Sequence, residues 1–93
     1  MNTKNLEQLL NELIERFNNA AILSSAAEYQ RVMHYLESRV GDDGLSDELS
    51  MLISASSSAQ GLSDMCPEGY DYAKWVNLVE AIRKESLSLQ KQL

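Results

Sequence analysis

Two apolar series near the amino terminus are each regular, yet they are out of step with one another. Leu6, Leu10, Leu13, Phe17 and Ala20 advance by alternating steps of four and three, which keeps their side chains on one stripe of a helix. Ile22, Ala26, Tyr29, Met33, Leu36 and Val40 repeat the same spacing. At about 100° per residue, the step from Ala20 to Ile22 carries the stripe roughly 200° around the helix axis. An unbroken helix would bury opposite faces in its two halves, so the phase jump favours two helices over one continuous one. Ser25 with Glu28 matches the S-x-x-E capping box, which places the start of the second helix just after Ser24. The expected helices lie near residues 3–20 and 25–40. Thr3 is a candidate cap for the first, and Glu12 with Arg16 forms a favourably oriented i, i+4 pair on it.

The run VGDDG after residue 39 ends the second helix, with Gly41 suited to the left-handed residue beyond a helix terminus. Its aspartates do not make a Ca²⁺ loop, because the D-x-[DN]-x-[DN]-G register and the distal glutamate are both missing. Ser46 can cap a third helix, near 46–60, with Asp47 and Glu48 in its first turn where they favour the positive end of the helix dipole. Leu45, Leu49, Leu52, Ile53, Ser56 and Ala59 share one side of it. The serine-rich stretch at 54–58 therefore reads as the frayed end of an amphipathic helix rather than as a linker. Cys66, Pro67 and Gly69 then mark a true connection. Beyond it Tyr72, Trp75, Val79, Ile82, Ser86, Leu89 and Leu93 keep the helical spacing, which gives the longest helix, near 71–92. The expected architecture is all-α: a compact four-helix unit of antiparallel neighbours, with residues 1–93 forming a single helical domain.

The charge balance narrows the partners. With 14 acidic and eight basic side chains the chain carries a formal charge of −6, which on average repels DNA, RNA and acidic membranes, so direct nucleic-acid binding is not expected. Lys74, Arg83, Lys84 and Lys91 all fall on the last helix, but Glu80 and Glu85 interrupt them, and they read as a solvated face with local ion pairs. The longest uninterrupted apolar stretch, AAIL at 20–23, is far short of the roughly 20 residues a bilayer span needs. The leucines near the amino terminus are broken by acidic and amide residues, unlike the apolar run of a signal peptide. A single cysteine cannot form an internal disulfide, and a cytoplasmic setting is expected.

Enzymatic chemistry finds no foothold. His34, the sole histidine, falls beside the apolar stripe, and nothing in the spacing brings it a nucleophile or carboxylate. Cys66 reads as a small apolar group tucked under its turn, and one Cys with one His cannot close a zinc site. Neither a cofactor nor a metal is expected, and no catalytic residue is assigned.

The residual reading is protein binding. Asp42, Asp43, Asp47 and Glu48 cluster within seven positions, where capping and dipole compensation account for them locally but where they also suit a basic protein surface. The last helix, about 33 Å long against about 22 Å for the second, is expected to overrun its neighbours and leave Leu87, Leu89 and Leu93 uncovered. The expected function is a small acidic antagonist or regulator of another protein, a DNA-binding protein being one such partner. The alternative is a structural or chaperone-like subunit that completes a helical assembly. Self-association as a homodimer through the last helix is also expected, the alternative being that the first helix, if it runs on past Ala20, covers that end within one chain.

Overall fold

The structure, a computed structural model, describes residues 1–57 and 61–93. It is all-α: α1 (Lys4–Asn19), α2 (Leu23–Ser38), α3 (Leu45–Ser57), a short 3-10 turn at Leu62–Met65, and α4 (Tyr72–Lys91). The last three residues of the expected 46–60 helix lie outside the described residues.

α1 buries Leu6, Leu10, Leu13, Ile14 and Phe17 along the stripe read from its sequence, while Ala20, the last member of that series, is exposed. The break after α1 lies where the phase jump requires one, but a different device makes it. The Ile22 amide donates to the Phe17 carbonyl at 2.9 Å and the Ala21 amide to the Asn18 carbonyl at 3.1 Å, with Ala21 in the left-handed region at φ 59°. This is the Schellman arrangement, with alanine where glycine is usual. The next helix follows at once, with Ile22 as its N-cap and no side-chain cap bond, so α2 starts two residues before the expected 25. Ser25 and Glu28 fall inside its first turns, and the capping box is not used.

α2 also ends earlier than expected. The Tyr35 hydroxyl donates to the Asp43 carbonyl, and the Arg39 guanidinium donates to the Gly41 carbonyl, the Asp42 carboxylate and the Met1 carbonyl. These bonds pull the chain into an extended exit at Arg39, so Val40, expected on the buried stripe, stands fully in solvent. The left-handed glycine of this turn is Gly44, at φ +80°, rather than Gly41, and a Cβ there would sit 3.2 Å from the Tyr35 hydroxyl. α3 begins directly after it at Leu45, which leaves Ser46 inside the helix instead of at its cap.

The helices form two antiparallel hairpins, α1 with α2 and α3 with α4, joined along the α1–α4 seam. Trp75, Phe17, Leu10, Leu49 and Ile82, from three of the four helices, are fully enclosed, and α2 adds Val32. At the centre of the aromatic core the Phe17 and Trp75 rings meet edge to face at 5.4 Å. The Trp75 indole donates to the Leu62 carbonyl at 2.7 Å, which fixes the 3-10 turn across the start of α4. Asp71 caps α4, its carboxylate accepting from the Ala73 and Lys74 amides. Tyr72, expected on the buried stripe, is exposed, and the ring that packs on Trp75 at this end is that of Tyr70 instead. No helix among the described residues is long and apolar enough to cross a membrane.

Candidate functional site

One end of the bundle gathers the chain's termini and the α2–α3 turn. Ser50 in the first half of α3 accepts a bond from Gln90 near the end of α4, and Met1 lies against Arg39 and Asp42. The opposite end holds the α1–α2 junction and the 62–72 segment. The exposed large apolar residues divide between these ends: Met1, Val40 and Leu93 at the first, Leu23 and Tyr72 at the second.

The expected acidic cluster lies at the first end, but its four members differ. Asp42 pairs with Arg39 at 2.6 Å and has the terminal amine 4.0 Å away. Glu48 pairs with Arg31 of α2 at 3.1 Å, joining α2 to α3. These two carboxylates are committed within the chain. Asp43 and Asp47 are exposed and form no ion pair among the described residues.

The three leucines also separate. Leu89 is 3% exposed and belongs to the core, Leu87 is half-buried, and Leu93 is 52% exposed. The expected overhang of α4 is therefore absent at Leu89. The first half of α3 lies alongside the end of α4, and Asn5 and Gln8 of α1 face Glu85 and Ser88 across a groove, so the second half of α4 is flanked by two helices of its own chain. Lengths alone misled here, because the long helix is flanked by different partners in its two halves.

The contact between α1 and α4 leaves a groove that no spacing in the sequence announces. A groove of about 690 Å³ runs between Asn5, Gln8, Leu9 and Glu12 of α1 and Ala81, Lys84, Glu85 and Ser88 of α4. It continues past Leu9 and Glu12 to Tyr70, Lys74 and Asn77. Beyond Tyr70 lies a smaller cleft of about 180 Å³ against Arg16. The expected Glu12–Arg16 ion pair does not form. The Arg16 guanidinium lies instead 4.9 Å over the Tyr70 ring.

His34 lies apart from these features, whereas Cys66 sits under the turn that lines the small cleft. His34 is exposed in an open depression with Ala27, Gln30 and Arg31. Cys66 is half-buried under its turn, its thiol donating to the Pro67 and Tyr70 carbonyls at 3.6 and 3.7 Å. Among the described residues no three His, Cys, Asp or Glu side chains are placed to hold a metal ion. On α4, hydrogen bonds from Arg83 hold the Glu80 carboxyl below its ordinary range, a local pair of the kind expected there. Compared with protein-family models, curated proteins and solved structures, the chain matches none of them.

Proposed function

We propose that the chain is a non-catalytic protein-binding module, a small acidic antagonist or regulator that meets a basic partner protein end-on. The contact surface in this reading is the α2–α3 turn together with the chain termini. The observation that carries it is the pairing of a fully solvated Val40 with the unneutralised carboxylates of Asp43 and Asp47, with Leu93 at the same end. An apolar residue rimmed by charge suits an interface: the carboxylates steer a basic surface into place, and burial of Val40 and Leu93 adds the short-range attraction. A DNA-binding protein is the partner class that best fits, because its phosphate-binding surface already offers clustered Lys and Arg. Asp42 and Glu48 contribute by shaping the tip rather than by contact, since each already holds an arginine of this chain.

The test is comparative affinity capture from the native host with the wild type and an Asp43→Lys/Asp47→Lys variant. A basic protein retained by the wild type, eluted by salt and lost from the variant supports the reading. Identical retention by both overturns it.

The groove along the α1–α4 seam favours a second reading, a structural or chaperone-like subunit or a homodimer, in which a helix of another chain lies across Leu9 and Ala81. Sedimentation giving about twice the 10.4 kDa chain mass, and a return to monomer with Ala81→Glu, would support it. A wild-type monomer at high micromolar concentration would exclude the homodimer.

A further inference from the structure

We propose that the cleft between the end of α1 and the 67–70 turn binds a carboxylate side chain presented by a partner protein. The chain has four arginines, and three of them are spent on its own acids: Arg31 on Glu48, Arg39 on Asp42 and Arg83 on Glu80. Arg16 forms no ion pair among the described residues, although the chain is strongly acidic and both Glu12 and Glu68 are close at hand. Its Nε is buried with no acceptor, as is that of the paired Arg39, so the terminal Nη groups are the ones that would meet a ligand in the cleft.

The guanidinium is nevertheless held in place. It lies over the Tyr70 ring, and that ring meets the fully buried Trp75 edge to face at 6.3 Å, which ties the platform to the core. An arginine stacked on an aromatic face keeps its N–H groups in the plane of the guanidinium, where they match the two oxygens of a carboxylate. The space beside it is a cleft of about 180 Å³ lined also by Asn19, Pro67, Glu68 and Gly69. That is smaller than the roughly 300–1,000 Å³ of small-molecule sites and suits the end of a side chain. Gly69, at φ +83°, leaves open space where a Cβ would point.

Two features oppose an anion here. Glu68 sits on the lip, and α1 presents its carboxy-terminal end, which disfavours negative charge. The second is reduced because the Phe17 and Asn18 carbonyls already accept from Ile22 and Ala21. The cleft lies at the opposite end of the bundle from Asp43 and Asp47, so this site does not depend on the acidic tip having a partner.

The test is NMR titration of the full chain, following the Arg16 Nε–H signal and the amides of Asn19, Gly69 and Tyr70. The probes are a blocked tripeptide with a central glutamate and its glutamine counterpart, at millimolar concentration and low salt. The glutamate peptide is expected to shift these signals in a saturable way and to bind about tenfold more tightly than the glutamine peptide, as befits one charge-assisted interaction. Arg16→Gln is expected to abolish the response, and Glu68→Gln to strengthen it. The Trp75 indole N–H signal reports whether each variant is folded, and Glu68→Gln, at an exposed position, keeps the test open should Arg16→Gln not fold. Equal response to the two peptides, no response, binding that survives Arg16→Gln, or weaker binding by Glu68→Gln would overturn the proposal.

Discussion

The Ile22 amide donates to the Phe17 carbonyl at 2.9 Å across a single left-handed residue, Ala21. This bond converts one apolar stripe into two, because the reversal lets α2 turn its own face back onto α1. Ile22 itself packs against the core, the apolar contact that usually accompanies such a cap. The left-handed conformation costs a residue with a Cβ about 1–2 kcal/mol. Ala21→Gly should remove that cost and, after the greater freedom of glycine in the unfolded chain is counted, raise stability by about 0.5–1 kcal/mol. Ala21→Val should lower it. Urea unfolding of the three proteins checks the order.

Trp75 connects Phe17, Tyr70 and the Leu62 carbonyl, so its removal opens a cavity and also orphans an acceptor. Trp75→Ala should cost about 3–5 kcal/mol, most of the stability of a domain of this size. Trp75→Phe keeps the ring but loses the bond to Leu62, and should fall between the wild type and the alanine variant in thermal melting.

Two serines occupy buried stripes and should respond differently to alanine. Ser56 donates to the Leu52 carbonyl at 2.6 Å, whereas the fully enclosed Ser86 hydroxyl has no partner among the described residues. A buried hydroxyl without a partner costs about 1–3 kcal/mol. Ser86→Ala should therefore raise the melting temperature, and Ser56→Ala should leave it unchanged or lower it slightly. Parallel calorimetry of the two variants decides this.

Burial against the core, reinforced by the neighbouring Glu28 charge, pushes the Tyr29 phenol up to about 12. Its neutral form is favoured by folding, so its contribution is complete below the ordinary value near 10 and is lost as pH rises through about 12. Between those limits the unfolded chain releases the proton and the folded chain keeps it, so stability should fall with pH. Tyr29→Phe should remove this part of the alkaline slope. Denaturation midpoints measured across the window check the sign.

How much of this was legible depended on whether the cause was local. The Leu6 to Phe17 and Trp75 to Leu89 stripes announced α1 and α4 because the 3.6-residue period is written in consecutive residues. The break near residue 20 was visible as a phase jump, but the device that makes it was not, since an alanine at the left-handed position carries none of the signal a glycine would. Ser25 and Glu28 looked like a cap, yet Ile22 closes one helix and opens the next without leaving residues for it. The acidic cluster was visible, whereas its division was not: Arg31 reaches Glu48 across 17 positions, and only the folded chain brings them together. Arg16 has the same lesson in reverse, because a nearby Glu12 suggested a partner and a distant Tyr70 supplied one.

End-on binding through the acidic tip is tested most directly by photo-crosslinking in the native host. A photoreactive residue is placed at Val40, and at Glu15 on the exposed side of α1 as a control. A discrete adduct with a basic protein is expected from position 40, absent from position 15 and lost when Asp43→Lys and Asp47→Lys are added. Adducts of equal yield from both positions, or an adduct at position 40 that survives the charge reversals, would contradict it.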